Sequence, residues 1–391
     1  MTIKFTEEQI ITQKMVKTFF ETEVKPVMSK LDARSDPKEC YPFEIIKKAS
    51  KQGLRTLAIP EEYGGINTDV ITKTLVLTTG AEVEAGTAKI LSQCWKVSHA
   101  ISQAGTEEQK QKFLGEFTND HDYVCSICIT EPNAGSDNLL PYNVVNAGIS
   151  TKAIVEGDYY ILNGSKQFTS LAGFSKLLLV FARTDSKVPF RQGTTTFLVP
   201  ADLPGVSFGK TNDRMGFRLY PGAEVFFEDV RIPKNYILGE LNAGFDTFAK
   251  IFRGSVEIPA TNLGICKAMY RTVFEYAKGR IQGGKHIIEH QNVGLMLAEM
   301  AMLIDTLEAY MWDTAERVKN DANYDVKKTR FAKIFSGECI VKLSILSLDI
   351  MGGAGASKEY PLEKLVRDGL TFLHGDGTNS LNKLRVVPLL R

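Results

Sequence analysis

The feature that most constrains this chain is a change of texture along it. Residues 5 to about 120 carry apolar side chains at three and four spacing, as in EEQIITQKMVKTFFETEVKP and YPFEIIKKASKQG, broken by Pro60 and the glycines of PEEYGG. From about 123 to 238 the chain turns to short runs, YVCSICIT, STKAIVEG, YYILNG, KLLLVFART, TTTFLVP and EVFFEDVRIP, rich in Val, Ile, Phe, Tyr and Thr. After Gly244 the helical period returns, with Val293, Met296, Leu297, Met300, Ile304 and Leu307 on one stripe and SGECIVKLSILSLDIMGG forming another. The reading is a multidomain α+β chain: a helical domain over 1–122, a central β domain over 123–240 and a helical domain over 241–391. No internal repeat or low-complexity linker separates them, so the junctions are expected to be packed.

Composition narrows the function. At 391 residues, 43% hydrophobic and 24% charged, the chain has room for two or three cored domains. Its 47 basic and 46 acidic residues leave a net charge of +1, so nothing draws in a polyanion such as nucleic acid, and phosphate recognition has to be local. Cys40, Cys94, Cys125, Cys128, Cys266 and Cys339 are scattered, the usage of reduced thiols in a reducing compartment. No apolar run of ~18 residues could span a bilayer. The start, MTIKFTEEQIITQKM, has neither a signal core nor an acid-poor, Arg-rich transit pattern. A bacterial cytoplasmic location is the expectation.

Several motifs have plain structural readings. Cys125 and Cys128 form a CxxC, but in an alternating strand they point to opposite faces. HIIEH, 286–290, fits the HxxEH pattern of inverted zinc peptidases if both histidines share a helical face, yet the distant acidic ligand is missing. No metal is expected. His374 reads as a lone loop histidine. Three Gly-rich turns remain, EPNAGSD (131–137), MGGAGAS (351–357) and HGDGTNS (374–380), where backbone amides can approach a phosphate or a flat ring closely. None follows a βαβ unit, so a Rossmann domain is not supported.

Their order carries a resemblance. TEPNAGSD at 130–137, YYILNGSKQF at 159–168, FART at 181–184, FFEDVRIP at 226–233, EHQNVGLMLAEM at 289–300 and the closing MGGAG, EYPLEKLVRD and HGDGT together resemble the acyl-CoA dehydrogenase family over nearly the whole chain. The resemblance implies a helical domain, a β-barrel or sandwich domain and a C-terminal four-helix bundle, with FAD between the last two. It also implies a homotetramer in which a neighbouring subunit completes the FAD site, and an electron-transferring flavoprotein as acceptor. Glu228 of FFEDV is similar to an exposed family acid near the acceptor's docking area; as residues alone it reads as a solvated strand end.

By the same resemblance Thr130, with Cys128 in the strand before it, lies at the isoalloxazine edge, and Ser136 meets the flavin phosphates. Phe168 and Ser170 stand where the family has Trp and Thr; Phe keeps the aromatic wall and loses the indole donor. Arg280 fits the arginine that reaches a neighbour's FAD pyrophosphate, a task suited to guanidinium, and Gln291 would lie by the adenine half. Gly353 and Thr378 complete the set, while Asp349 replaces the usual Gln. On the substrate side the resemblance carries to Gly375, Phe245 and Arg253. An arginine usual near the CoA entrance is here Ser255, with Arg253 beside it.

The implied chemistry needs one base to take the α-proton of an acyl-CoA thioester while the β-hydrogen leaves as hydride. The family's Glu at this place is Asp376 here, whose residue-only reading is a turn-capping aspartate. The family's alternative base position falls on Gly254, with Glu257 three residues beyond it. Asp is one methylene shorter than Glu, and Gly375 replaces a commonly aromatic residue. Together they imply a wider cavity suited to a cyclic acyl group, of the cyclohexane- or cyclohexene-carboxyl-CoA kind, or a branched one. The alternatives are a linear-chain dehydrogenase, a member that eliminates a β-substituent, and a thioester-binding subunit without catalysis.

Overall fold

The computed structural model describes residues 3–140, 144–145, 147–252 and 254–391. The N-terminal part holds α1 (Glu7–Phe19), α2 (Lys25–Asp32), α3 (Phe43–Lys51), α4 (Val70–Ala81), α5 (Ala85–Ala104) and the short α6 (Glu107–Gln109) and α7 (Gly115–Asn119). Thr6 opens α1 with a capping box, its hydroxyl taking Gln9 N–H while the Gln9 side chain takes Thr6 N–H. Asp69 caps α4 and Glu84 caps α5. Helix α5 is buried almost all round, which is ordinary for an apolar helix. Here, however, the buried set includes Lys89, Gln93 and Lys96.

Strands β1 (Cys125–Cys128), β2 (Lys152–Glu156), β3 (Tyr159–Ser170), β4 (Leu177–Arg183), β5 (Thr194–Pro200), β6 (Val206–Thr211) and β7 (Gly222–Pro233) form one mixed sheet in the order β1-β4-β2-β3-β7-β6, with β5 on β4. It curls over its own apolar core, which includes Cys128, Leu162, Val180, Phe197 and Val225. Cys125 belongs to the other core, shared with the helices, so the CxxC cysteines do face opposite ways. Burial pushes the Cys128 thiol up to about 12, leaving it an inert core side chain.

Two motifs quoted above meet inside this domain. Glu131 of TEP accepts from Lys166 Nζ of NGSK at 2.8 Å and from the Ser150 and Thr151 amides, and Lys166 also reaches the Phe181 carbonyl at 2.6 Å. Both side chains are sealed from solvent. Gly164 of the same motif has φ +142°, and a Cβ there would stand 2.7 Å from Thr151 Oγ1.

The C-terminal part holds α8 (Gly244–Phe252), α9 (Glu257–Gly279), the β8 (Ile281–Gln282) and β9 (Lys285–His286) hairpin, α10 (Gln291–Asn320), α11 (Lys327–Met351), α12 (Leu362–Thr371) and α13 (Asn379–Val386). Helices α9 and α11 run parallel: Asn262 bonds Ser336 near their starts, and Met269 and Ile340 meet Gly369 further on. Helix α10 runs against α11, through Lys342–Glu299 at 3.2 Å and Cys339 facing Leu303. With α12 packed on α9 and α11 these make the four-helix bundle. One continuous core joins α1, α5, β4 and α9 to α11, so the three parts are packed against one another. His286 and His290 lie in the hairpin and at the N-cap of α10, off any shared helical face, and the His290 ring faces the Gln282 carbonyl at 2.9 Å. Among the described residues no helix is long and apolar enough to cross a membrane.

Removing one partner of a buried pair leaves an uncompensated charge. Lys166→Met is therefore expected to lower unfolding stability by about 3 kcal/mol. Lys176→Met, which breaks a half-exposed pair with Asp120, should cost about 1 kcal/mol or less. Equal losses in denaturant unfolding would refute the structural role of Glu131–Lys166.

Candidate active site

Asp376 sits in the loop between α12 and α13, with its backbone at φ +52° and the next residue, Gly377, at φ +89°. A non-glycine residue held left-handed needs outside support. Lys333 of α11 supplies it, donating to the Leu373 carbonyl at 3.0 Å, the Gly377 carbonyl at 2.7 Å and Asn379 Oδ1 at 2.9 Å. Asn382 adds a bond to the Gly377 carbonyl at 3.1 Å.

The Asp376 carboxylate, 29% exposed, accepts from Lys96 Nζ at 3.0 Å. Lys96 also reaches Glu257 at 3.3 Å, and Lys89 reaches the same Glu257 oxygen at 3.1 Å. Both lysine side chains are almost closed to water, at 2% and 3% exposure. Burial pushes the Asp376 carboxyl up, but Lys96, Lys89 and Lys333 outweigh it and hold it below the usual carboxylate range. Lys96 moves up, because Asp376 and Glu257 overcome its own burial. Lys89 moves down under burial and the like charge of Lys96. The result is a fixed, ionised carboxylate in a mostly dry site, able to accept a proton.

Glu257 was not tied to this site by the sequence, where it falls three residues past the alternative base position; the fold brings it to Lys96 beside Asp376. Gly375 also differs from its expected effect. A Cβ there would lie 2.8 Å from the Phe372 ring, so Phe372, stacked on Phe217 at 4.5 Å, occupies the wall that the glycine gives up. The Tyr220 hydroxyl donates to Gln93 on the same face of α5 at 3.0 Å. Phe245 packs edge-on to Phe190 at 5.2 Å, beneath the Arg191 guanidinium. Arg253 lies outside the described residues.

The residues tied to a flavin fall in two groups. Near Asp376, the β3–β7 register slips between Lys166 and Thr169, and this bulge turns Phe168 outward, 61% exposed at φ +54°. Thr130 lies beside it, its carbonyl taking Gln167 N–H, and Ser170 ends β3. Ser136 begins an exposed turn that packs on the Asp376 loop: a Cβ on Gly377 would stand 3.3 Å from Leu139. Thr378 caps α13. Both amide atoms of the buried Asn138 in that turn lack a partner among the described residues, as does Arg330 Nε. Arg385, beside Arg330 and Arg191, is pushed down to about 10 by burial and by their like charges. These arginines, with the orphaned Arg330 Nε and the Asn138 amide beside them, fit phosphate. It is a feature that no motif in the sequence announced.

The second group, Arg280, Gln291, Asp349 and Gly353, is exposed and clusters at the C-terminal ends of α9 and α11. Glu257 and Lys333 mark the opposite end. Helix α9 has 23 residues between them, about 35 Å of length. The two groups of one chain are therefore far apart. The exposed aromatic ring, the unpaired amide and the arginines fit FAD, which would be held by residues of both groups.

A proton-accepting carboxylate next to a phosphate-ready, aromatic-lined surface, at the meeting of helical, β and bundle domains, fits an enzyme that works with a phosphate-bearing cofactor. The profiles of the acyl-CoA dehydrogenase N-terminal, middle and C-terminal domains match residues 6–120, 126–230 and 242–387. The chain is 32% identical to a 3-(aryl)acrylate reductase of Clostridium sporogenes, over 97% of each chain. Butyryl-CoA dehydrogenase of Megasphaera elsdenii superposes with a TM-score of 0.90 at 30% identity, covering all of both chains. A chain of the structure describing the electron transferring flavoprotein of Acidaminococcus fermentans gives 0.91, also at 30% identity and full coverage of both. The chain belongs to the acyl-CoA dehydrogenase family. It is a flavin-dependent oxidoreductase, and its cofactor is FAD.

Phe168 is exposed and contributes little to the core, so Phe168→Ala should fold normally and weaken FAD retention about tenfold, read by flavin titration. Unchanged affinity would remove Phe168 from the flavin surface.

Proposed function

We propose that this acyl-CoA dehydrogenase acts on a ring-containing or branched acyl thioester, with Asp376 as the base that removes the α-proton. The observation that carries this reading is the Asp376 carboxylate, held ionised by Lys96 and fixed in a left-handed loop by Lys333. FAD, when bound, takes the β-hydrogen as hydride. Asp376 receives the α-proton at Oδ1 or Oδ2, and Lys96 then loses one of its two anionic partners and turns more strongly to Glu257. Phe168, Thr130, Ser170, Ser136 and Thr378 hold the flavin and its phosphates. Arg191, Arg330 and Arg385 take phosphate close to the loop.

Two features favour a compact or substituted acyl group over a long linear one. Asp376 is short, so the substrate carbons have to come to it. Behind the carboxylate, the α5 face of Lys89, Gln93 and Lys96 gives an extended alkyl chain charged and polar side chains to lie against, a costly contact for either. The name of the Clostridium sporogenes relative likewise joins an aromatic ring to an acrylate.

The separation of Arg280, Gln291, Asp349 and Gly353 from Asp376 supports a homo-oligomer, a tetramer by the family's habit, in which a second copy brings these residues to the FAD of the first. An electron-transferring flavoprotein is the proposed acceptor, with Glu228, exposed on β7, at its docking face.

Asp376→Asn should keep FAD yet slow substrate bleaching of the flavin by several orders of magnitude, whereas Glu257→Gln should slow it far less; the reverse order would make Glu257 the base. The pH profile gives a second test. The base works only when ionised, so the rate falls as pH drops through its pKa, and Lys96→Gln removes a cation that holds that pKa down. The acid limb should move upward by about one pH unit. An unmoved limb would mean that Lys96 does not set the charge of Asp376.

A further inference from the structure

The loop that carries Asp376 hangs on an ammonium group with no spare donor. Lys333 Nζ reaches three oxygens, the Leu373 carbonyl, the Gly377 carbonyl and Asn379 Oδ1, at 3.0, 2.7 and 2.9 Å. Three acceptors are matched only by the three N–H bonds of a charged lysine. None of them can turn into a donor. Two are backbone carbonyls, and the Asn379 amide is held the right way round because its Nδ2 donates to the Ile334 carbonyl at 3.0 Å. A neutral amine would turn its lone pair on one of these oxygens, and at 7% exposure little water can take over the lost bond. Leu373 and Gly377 lie on either side of Asp376 in the chain, so the ammonium clamps the loop across the residue held at φ +52°. Asn382 braces the other side, through the Gly377 and Thr378 carbonyls at 3.1 Å each, but an amide does not titrate.

The surroundings make that proton easy to lose. Burial pushes Lys333 down to about 8, and the Asp376 carboxylate is the group that resists. The other charges on the elements around it are engaged elsewhere or have the same sign. On α11, Glu338 turns to Lys383 of α13 at 2.8 Å, and Arg330 is a cation, as is Arg385 of α13. On α5, Lys89 and Lys96 share Glu257 of α9. In the Ser136 turn, Asp137 accepts from the Gly135 amide at 3.2 Å. His374 belongs to the loop itself. A lysine is charged below its pKa, so the clamp is complete at neutral pH and fails as pH rises through about 8. When Asp376 takes the α-proton, the one carboxylate that supports Lys333 is neutralised, and the lysine holds its own proton less firmly.

Resting on the reading of Asp376 as the base, we infer that Lys333 is a positioning residue whose proton keeps the base loop braced, so that its loss switches the enzyme off on the alkaline side. With the proton gone, one acceptor is abandoned and Asp376 is free to leave the left-handed conformation that only its surroundings maintain. The carboxylate stays ionised and becomes misplaced, and misplacement is costly to rate. Lys333 acts through the loop, so its titration changes the limiting rate of flavin bleaching and leaves half-saturation by the thioester nearly alone. A charge-assisted bond of this kind corresponds to roughly a tenfold to hundredfold change in that rate.

The test is anaerobic bleaching of the FAD-loaded enzyme by butyryl-, isobutyryl- and cyclohexane-carboxyl-CoA, with the limiting rate followed from about pH 6 to about pH 10. The rate should fall along an alkaline limb centred at about 8. Burial lowers Lys73 and Lys89 as well, so the limb is traced with variants. Lys333→Arg, whose guanidinium keeps its charge over this range, should abolish the limb. Asn379→Asp sets a carboxylate against the ammonium and should move the limb upward by about one pH unit. These two variants act by different routes, so misfolding of one leaves the other to decide. A lysine that only packs α11 on the loop would alter stability and leave the limb in place in both, which overturns the inference. Wild-type bleaching that stays level across the range overturns it too and leaves the dehydrogenase reading intact. Bleaching by no thioester at any pH overturns both.

Discussion

One ammonium group holds the functional half of this protein together. Lys96 belongs to the N-terminal helical domain, yet its two carboxylate partners are the first residue of α9 and a loop residue close to the C-terminus. The three segments are distant in sequence, so the site exists only when the domains are packed, and the continuous core across them provides that packing. A buried pair of this type adds little net stability. Its value is positional and electrostatic: it fixes where Asp376 points and holds it ionised against the upward push of burial.

The architecture was legible because periodicity is a local property. The strand texture from 123 to 238 and the flanking helical stripes became a seven-stranded sheet between helical domains. The specific pairing of TEP with NGSK was legible as a motif, but its physical content was hidden. Glu131 and Lys166 form one sealed ion pair, and Gly164 allows the close approach to Thr151. What these motif positions do in the structure is pack the β domain, while the exposed Phe168 ring next to them rests on a bulge that no residue pattern announces.

Most of the charge cluster was not legible. Lys89 and Lys96 sit in AGTAKILSQCWKVSHA, where lysines seven apart on a helix read as a solvated face. Only the fold, which buries α5 on nearly every side, turns them into active-site groups. Chain position alone does not tell that Glu257, at the start of α9, abuts α5. Gly375 reads in the sequence as an opened wall, since nothing there shows that Phe372, three residues earlier, turns its ring into that space. Each of these misses concerns a contact between segments, the kind of information that spacing does not hold.

The two ends of the bundle divide the work by the direction of its helices. Because α9 and α11 run parallel, their N-terminal ends carry Glu257 and Lys333 to the base, and their C-terminal ends carry Arg280, Asp349 and Gly353 away from it. Helix N-termini favour anions, and at the start of α9 the Glu257 carboxylate meets that preference. The opposite end presents carbonyl termini, which do not attract phosphate by dipole, and the proposed contact with a neighbour's FAD rests there on Arg280, directly after the last residue of α9. On the proposed reading the two ends of this helix carry separate parts of a cofactor site, and a second copy of the chain is the simplest source of the missing part.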